Sequence, residues 1–412
     1  MSLEFLTLDE VKTAEKTVFL RVDINSAIDP ATKRIIDDSR IKATAPTINA
    51  LRESKVVLGA HQSRPGEYDF TSMEPHSRVL QMYTDRPVRF VDDVIGEKAQ
   101  KAIKDLKAGE ILVLDNLRNL KEENKQAPPD VLAKTELVQK LAPNLDMCVN
   151  DAFAAAHRSQ PSLVGFGEVL PMVAGRLMEA ELSALQRIVE NPRRPCVFVL
   201  GGAKVEDRMP VIKRVLRDGI ADKILVGGVV NNIFLMAMGY LSQLFLKESD
   251  EVIAQVREAR ELLDKYDDRI EASKDVALDV KGDRVEVYTE QLTEQTNIYD
   301  VGLNTLARFR QVIMEAGTVV AEGPMGMFER RGFDIGTKEI LDAMTVTKAF
   351  TVVGGGHMGS VASIMNVEDR LRHISTGGGA LLSYLAGEEL PVVEALKRAK
   401  KKVKPLNHYF KP

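Results

Sequence analysis

Four arginines stand in loops that follow or lie near strand-like runs in the first half of the chain. Arg40 follows IIDDS, Arg64 follows AHQS, Arg118 follows LDNL, and His157 with Arg158 follows NDAFAAA. A guanidinium group matches a carboxylate or a phosphate with two parallel, charge-assisted hydrogen bonds. One such arginine is usually a surface ion pair of little consequence, but several that converge would select a small polyanion. The spacing therefore predicts an anion-binding half-site.

Four glycine clusters end apolar runs in the second half of the chain. They are GGAK at 201–204, GPMG at 323–326, GGGHMG at 354–359 and STGGG at 375–379. Backbone N–H groups at a strand-to-helix turn bind phosphate where no side chain blocks the approach, and the helix dipole favours negative charge. A single glycine turn can have a purely steric purpose, but four in one domain predict a nucleotide-phosphate site.

Two other nucleotide-binding designs fit this half less well. Gly354, Gly356 and Gly359 satisfy the G-x-G-x-x-G pattern of dinucleotide-binding dehydrogenases. That class of protein needs an acidic residue about 20 residues further on, where this chain reads HISTGGGA. A phosphate-loop NTPase needs G-K-S or G-K-T, which the chain lacks. Both designs are therefore disfavoured.

The elements that must position these residues follow from a repeated rhythm of short apolar runs and longer segments of helical period. The runs begin at residues 17, 55, 88, 111 and 147 in the first half and at 196, 223, 318, 350 and 373 in the second. This rhythm predicts an α/β fold of two Rossmann-like, doubly wound parallel-sheet domains. Such sheets bind ligands beyond the carboxyl ends of their strands, so each domain is expected to carry one half-site.

The length of 412 residues also favours two domains, because a single core stops growing near ~250 to 300 residues. We predict a substrate-binding domain over 1–175, an inter-domain hinge helix over 176–191 and a nucleotide-binding domain over 192–394. The helix is predicted from an apolar stripe that Pro192 ends; its members are Met178, Leu182, Leu185 and Val189.

The end of the chain is rich in lysine and arginine, with LKRAKKKVK at 396–404. We interpret this run as a solvated helix end in preference to a binding patch. The tail over 395–412 is expected to pack back on the N-terminal domain.

The composition argues against nucleic acid or a membrane as a partner. Lys+Arg total 56 against Asp+Glu 60, a net charge of −4, so no global basic field is present. No apolar run approaches the roughly 20 residues that span a bilayer, and acidic residues stand near the N-terminus. Cys148 and Cys196 lie in short apolar runs and are expected to be buried and inert. A cytoplasmic protein, monomeric in preference to dimeric, is expected.

Nine ordered blocks between residues 21 and 380 resemble those of the phosphoglycerate kinases, especially the archaeal branch. They are RVDIN, DDSR, HQSRPG, LDNLR, NDAFAAAHR, GGAKVEDR, EGPMGMFE, GGGH and STGGGA. The resemblance implies reversible phosphoryl transfer between 1,3-bisphosphoglycerate and ADP, giving 3-phosphoglycerate and ATP, in glycolysis or gluconeogenesis. It also implies Mg²⁺ as cofactor and in-line transfer after hinge closure.

The resemblance also implies roles for residues of the first half. Asp23 and Asn25 would lie near the hydroxyl and carboxylate end of 3-phosphoglycerate. The groups around its phosphate would be His61, Arg64, Arg118 and Arg158. Arg40 would bridge to the transferred group and is expected to be catalytic.

In the second half, the resemblance implies that Lys204 lies at the transferred phosphoryl group and that Glu329 holds the ribose hydroxyls. Gly201, Gly227, Gly323 and Gly326 would form the walls of the adenosine site. The remaining nucleotide-binding residues would be Gly354, Gly355, Gly356, His357, Ser375 and Thr376, with the 377–379 turn meeting the phosphates. Gly355 and Gly378 are expected to be catalytic together with Lys204.

The chain departs from the family pattern at four positions near the nucleotide. His357 stands where most members have an aspartate that contacts the metal, so the protein ligands of Mg²⁺ are left open. Arg208 replaces a usual lysine, while Glu322 and Met325 replace an asparagine and a proline. The alternative function is a catalytically silent anion- and nucleotide-binding protein of the same fold, for which His357 is the best argument.

Overall fold

The computed structural model describes residues 3–241, 249–293 and 297–403. The chain divides into two compact units, Met1–Leu182 together with Glu389–Pro412, and Ser183–Glu388. Within the described ranges, no helix is both long and apolar enough to cross a membrane.

The first unit is built on a parallel sheet of six strands. They are β1 (Thr17–Val22), β2 (Lys55–Gly59), β3 (Val88–Phe90), β4 (Ile111–Val113), β5 (Met147–Asp151) and β6 (Met172–Ala174). Their spatial order is β3-β4-β2-β1-β5-β6, so β1 lies between β2 and β5. The chain builds outward from β1 in both directions, and the crevice beyond β1 is where an open parallel sheet binds its ligand.

Seven short helices connect these strands. They are α1 (Ser39–Lys42), α2 (Ala45–Ala50), α3 (Glu74–Leu80), α4 (Glu97–Lys104), α5 (Pro129–Leu132), α6 (Glu136–Leu141) and α7 (Pro161–Val164). Strand residues on both faces of the sheet are buried, as the near-continuous apolar runs predict.

The helix predicted over 176–191 is α8 (Arg176–Glu190), and the border between the two units falls inside it. Met178, Leu182 and Leu185 are buried as the stripe predicts. The fourth stripe position is wrong, because Ile188 is buried while Val189 is half-exposed. Spacings of three and four residues both fit one face of a helix, so the sequence did not distinguish these neighbours.

The described part of the second unit contains two sheets. Its strands are β7 (Cys196–Leu200), β8 (Lys223–Val226), β9 (Ile270–Glu271), β10 (Asp275–Val280), β11 (Asp283–Tyr288), β12 (Ile298–Val301), β13 (Thr318–Glu322), β14 (Phe350–Val353) and β15 (His373–Ile374). The parallel sheet has the order β15-β14-β13-β7-β8-β9, which confirms the predicted α/β class of two parallel-sheet domains. The antiparallel sheet β11-β10-β12 was not predicted.

The helices of the second unit are α9 (Val205–Arg217), α10 (Gly228–Met238), α11 (Asp250–Tyr266), α12 (Leu303–Glu315), α13 (Ile335–Val346), α14 (His357–Ile364) and α15 (Gly378–Ala386). Four of them, α9, α10, α14 and α15, begin within a few residues of the carboxyl end of a parallel strand. Their N-terminal N–H groups therefore gather at one edge of the sheet.

The last helix, α16 (Pro391–Val403), belongs to the first unit and packs on β6 and α7. Its basic side chains were interpreted as a solvated helix end, but several of them bond to other parts of the first unit. Lys397 pairs with Glu4 at 2.8 Å, and Lys400 donates to the carbonyl oxygen of Leu3 at 2.8 Å. Lys402 pairs with Glu168. Residues 404–412, the rest of the tail expected to pack back on this unit, lie outside the described residues.

Candidate active site

In the first unit, Asp23 lies just beyond β1 and organises the loop around it. Arg40 Nη1 lies 3.0 Å from Asp23 Oδ1, and the same oxygen accepts a hydrogen bond from the backbone N–H of Asn25 at 3.1 Å. Asn25 Oδ1 in turn accepts from the backbone N–H of Ser63 at 2.9 Å. These bonds join the loop after β1, the helix α1 and the loop after β2 into one cluster. Arg40 was expected in a loop but is the second residue of α1.

Asp23 is a buried carboxylate that its cationic neighbours keep ionised. Burial alone would raise its pKa, but the positive charges of His61, Arg40 and Arg21 outweigh burial, and the pKa lies below its ordinary value. His61 is itself neutral near pH 7, because its pKa lies well below its usual range. At that pH, Arg40 and Arg21 are therefore the cations that stabilise the Asp23 carboxylate.

His61 is buried beyond the end of β2, and its Nδ1 lies 3.0 Å from Arg21 Nη2. A guanidinium group can only donate, so Nδ1 is the acceptor and the proton of the neutral ring resides on Nε2. Burial lowers the pKa of His61 well below its usual range, and the nearby arginines lower it further against the opposing effect of Asp23. His61 is therefore a neutral hydrogen-bond donor at neutral pH.

Arg21, which sequence reasoning did not select, is the buried centre of this network. Its side chain is fully buried in β1; Nε donates to Ser162 Oγ at 2.7 Å and Nη1 donates to the carbonyl oxygen of Val22. Its counter-charge is Glu123, whose Oε1 lies 4.0 Å from Nη2 and whose Oε2 accepts from the backbone N–H of Ser162 at 3.1 Å. The only signal in the sequence was a charged residue inside an apolar run.

Arg118 lies close enough to Arg158 and Arg64 to be repelled by both. Burial, together with the positive charges of Arg158, Arg21 and Arg64, lowers the pKa of Arg118 to about 10. Arg118 Nη1 donates to the carbonyl oxygen of Ser63, while its buried Nε has no hydrogen-bond partner in the described part of the chain. This cationic surplus is suited to an anion.

Gln62 anchors the loop that carries His61 and Arg64. Its Oε1 accepts from the backbone N–H of Ser26 at 2.9 Å and lies 3.0 Å from His76 Nε2, and its Nε2 donates to the carbonyl oxygen of Ser26 at 3.0 Å. The loops after β1 and β2 are therefore held together by a buried amide, which the sequence did not reveal as a site residue.

In the second unit, the turns after β7 and β13 pack backbone against backbone. Gly201 N–H donates to the carbonyl oxygen of Glu322 at 2.9 Å, and Gly202 N–H donates to that of Pro324 at 2.8 Å. A Cβ on Gly201 would lie 2.3 Å from the Pro324 oxygen, and one on Gly323, whose φ is +82°, would lie 2.3 Å from the Gly201 oxygen. These glycines are required where strand order reverses, at the point where open sheets bind ligands.

Gly227 and Gly326 were also predicted to form walls of the adenosine site. At both positions a side chain would overlap with buried neighbouring atoms. A Cβ on Gly227 would lie 2.5 Å from Met325 Sδ, and one on Gly326 would lie 2.4 Å from Asp300 Oδ1. Met325 is 1% exposed, so this departure from the family pattern fills the core beneath the turns. The role of both glycines toward a nucleotide stays a prediction.

The other glycine clusters form the first turns of α14 and α15. Gly356, with φ +65°, directly precedes α14, and a Cβ there would meet nothing within 4 Å. His357 is the exposed first residue of α14, and its ring centroid lies 5.1 Å from that of Phe328. A Cβ on Gly355 would lie 2.4 Å from the carbonyl oxygen of Ser375, so the two turns touch.

A local hydrogen bond stabilises the turn before α15. Ser375 is buried, and its Oγ accepts from the backbone N–H of Gly377 at 3.2 Å. Thr376 is half-buried between them, and Gly378 is the first residue of the helix. The arrangement leaves the N-terminal N–H groups of α15 beside those of α14, a pattern suited to phosphate oxygens.

Lys204 and Glu329 are both exposed. Among the described residues, neither side chain forms a hydrogen bond or an ion pair. Lys204 directly precedes α9. Burial raises the pKa of the nearby Glu322, and the positive charges of Arg208 and Lys204 oppose that rise. Glu329 lies in the loop between β13 and α13. Their predicted roles toward the transferred phosphoryl group and the ribose stay predictions.

The described residues do not form a metal centre of their own. No group of three or more histidine, cysteine, aspartate or glutamate side chains within the described ranges could hold an ion. His357 offers nitrogen in place of the oxygen that Mg²⁺ prefers. The side chains present therefore do not fit a protein cage for Mg²⁺.

Comparison with known proteins places this architecture in one family. The family model described as phosphoglycerate kinase matches residues 8–388. The phosphoglycerate kinase of Methanobacterium bryantii is 45% identical over 98% of this chain and 99% of its own length.

Solved structures agree. A crystal structure of phosphoglycerate kinase from Pyrococcus horikoshii OT3 matches with a TM-score of 0.86 and 45% identity, covering 94% of this chain and 98% of that one. The phosphoglycerate kinase of Coxiella burnetii matches with a TM-score of 0.81 and 30% identity, covering 96% and 99%. This chain belongs to the phosphoglycerate kinase family.

Proposed function

We propose that the chain catalyses reversible phosphoryl transfer between 1,3-bisphosphoglycerate and ADP, which yields 3-phosphoglycerate and ATP. The observation that carries this proposal is the group of arginines that surrounds Arg118 near the carboxyl edge of the first sheet. Arg118 is buried among Arg158, Arg21 and Arg64, and its pKa is lowered to about 10. Such a cluster is costly unless a small polyanion neutralises it, and 3-phosphoglycerate carries both a phosphate and a carboxylate.

The first unit would bind the three-carbon substrate. We assign its phosphate to Arg64, Arg118 and Arg158, with His61 donating from the neutral ring. Asp23 and Asn25 would lie near the hydroxyl and carboxylate end. Arg40, held by Asp23 at 3.0 Å and still one-third exposed, would reach the transferred group.

The second unit would bind the nucleotide. The adjoining first turns of α14 and α15, including Gly355 and Gly378, supply backbone donors for phosphate oxygens. Lys204 would neutralise the transferred phosphoryl group, and Glu329 would hold the ribose. Because the substrate and nucleotide half-sites belong to different units, we propose that transfer requires hinge closure, with α8 as the connecting element.

A general base is not required in this reaction. In the ATP-consuming direction the acceptor is a carboxylate oxygen of 3-phosphoglycerate, which is ionised at neutral pH because a carboxyl pKa lies near ~4. The protein therefore has to position two anions and stabilise the charge of the transferred group. Mg²⁺ would be held chiefly by nucleotide phosphates and water, which is its habit in such sites.

The test is direct. Purified protein supplied with ATP, Mg²⁺ and 3-phosphoglycerate should produce ADP, followed by coupled oxidation of NADH. Arg40→Ala should lower kcat far more than it weakens binding of 3-phosphoglycerate. No turnover with intact binding of both ligands would reject the enzyme and favour the silent anion- and nucleotide-binding protein.

A further inference from the structure

Two of the departures from the family pattern are bonded to each other. Arg208 Nη2 lies 2.5 Å from Glu322 Oε2, although the residues are 114 positions apart. Both are about nine-tenths buried, with exposures of 8% for Arg208 and 6% for Glu322. Arg208 lies in the first turns of α9, and Glu322 is the last residue of β13.

The pair lies among the turns assigned to the nucleotide phosphates. A Cβ on Gly354 would lie 2.3 Å from Glu322 Cγ, and one on Gly378 would lie 3.3 Å from Glu322 Oε1. On the other side, a Cβ on Gly202 would lie 3.5 Å from Arg208 Nη2. The absence of side chains at these positions leaves room for the ion pair.

A carboxylate at this place needs an explanation, because it would repel phosphate. Arg208 compensates its charge, and the guanidinium still has hydrogen-bonding capacity to spare. Nη1 makes only long contacts, 3.3 Å to the Lys204 carbonyl oxygen and 3.5 Å to Asp207 Oδ2. Nε is buried and has no hydrogen-bond partner within the described residues.

We propose that Glu322 is a positioning residue that fixes the Arg208 guanidinium beside Lys204, where its remaining N–H groups bind the terminal phosphate oxygens of the nucleotide. This inference rests on the proposed function. The bond to Glu322 fixes the direction of the planar fork, whereas an unpaired arginine would keep several rotamers. The carboxylate also offsets one positive charge, so the phosphates are not held more tightly than turnover allows.

The test is a double-mutant cycle on kcat and on the Kd for ATP, using E322Q, R208K and the double variant. E322Q should lower kcat by about tenfold or more while the Kd for ATP stays equal or falls, because the charge of Arg208 is no longer offset. In the R208K background, the same substitution should change kcat by less than about threefold. The matched control is E339Q, which removes a partner of Arg310 at the surface of the same unit, 2.6 Å away, and should leave kcat unchanged.

Equal losses of kcat from E322Q in both backgrounds would overturn the proposal, as would a Kd for ATP that rises in step with the fall in kcat. If E322Q does not fold, E322D keeps the charge but withdraws it by one methylene, and folded E322D with unchanged kcat and Kd would equally overturn it. Loss of the proposed function would be seen separately, as an inactive unsubstituted protein.

Discussion

Arg21 Nη2 and His61 Nδ1 lie 3.0 Å apart, and this one contact determines which proton the substrate site can offer. Because Arg21 only donates, the neutral His61 ring keeps its proton on Nε2. The arginine acts on the substrate site through a neighbour, from a position fully inside the sheet.

We predict that Arg21→Lys raises the KM for 3-phosphoglycerate by about tenfold while the KM for ATP stays within about twofold. A lysine has one ammonium group, which cannot bond Ser162, Val22 and His61 in the planar geometry of the guanidinium. Steady-state kinetics with each substrate varied measures both constants. Arg86→Lys is the control, because this buried arginine of the same unit bonds only carbonyl oxygens remote from the cluster, including that of Ile48 at 3.0 Å. Equal changes in the two variants would contradict the assignment.

Removing one cationic group of the cluster should weaken substrate binding without lowering the stability of the fold. Arg64→Met is expected to raise the KM for 3-phosphoglycerate by about tenfold, since a charge-assisted hydrogen bond is lost. The free energy of unfolding should stay within about 0.5 kcal/mol, because the exposed Arg64 side chain has no hydrogen bond among the described residues and repels Arg118. Arg78→Met, at an exposed arginine bonded to Glu74 on α3, should leave the KM unchanged. A fall in stability with no change in KM would show that Arg64 is structural.

Lys204→Met should lower kcat by about a hundredfold or more while the Kd for ADP changes by less than about fivefold. The ammonium charge is needed mainly when negative charge shifts during transfer, so its loss affects the rate more than the binding. Stopped-flow rates and calorimetric titration measure the two quantities. Lys213→Met, on the same helix and paired with Glu258 at 2.7 Å, should have nearly normal kinetics. Equal losses of rate and affinity would exclude a transition-state role for Lys204.

The stability of the protein should depend on His76 below pH 6.5. Burial lowers the pKa of His76 to about 4, and its Nδ1 has no partner within the described residues. As the pH falls from 6.5 toward 4, the unfolded chain gains a proton on this residue that the folded protein does not take up, so stability is lost across that window. His76→Gln cannot titrate and keeps a donor for Gln62.

Unfolding by denaturant at several pH values tests this expectation. The difference in unfolding free energy between the variant and the original protein should be constant above pH 7. It should shift in favour of the variant by about 3 kcal/mol by pH 4. Taking the difference removes the opposite contribution of Asp300, whose pKa burial raises to about 6 and whose protonation stabilises the fold at low pH. A difference independent of pH would contradict the buried, neutral state of His76.

Gly201→Ala should destabilise the second unit by more than about 2 kcal/mol, because its Cβ would lie 2.3 Å from a backbone oxygen and neither strand end can move freely. Gly359→Ala is the matched control. Its Cβ would meet only Ile374 Cγ2, at an ordinary 3.6 Å, and alanine favours the helix. Thermal unfolding of both variants measures the contrast, and equal effects would show that the approach of the two turns is not the reason for glycine at 201.

Much of the fold followed from local pattern. Buried parallel strands are continuous apolar runs, so ten of the strands could be read from the sequence with the loops after them. Five strands were missed. Of these, β6 has three residues and β9 has two, while β10, β11 and β12 form the antiparallel sheet, in which acidic residues interrupt the apolar runs. Arg64 and Arg118 were found for the same reason, because each lies a few residues after the end of a strand, β2 or β4.

The sequence by itself determined the two parallel sheets, the cationic loops and the glycine turns, since each is written in consecutive residues. Only the tertiary structure decided which side chains meet. It paired Arg208 with Glu322 and placed Arg21 behind His61, because strands distant in the sequence are neighbours in the sheet. The contacts of a buried polar group depend on that neighbour order, which short-range periodicity does not contain.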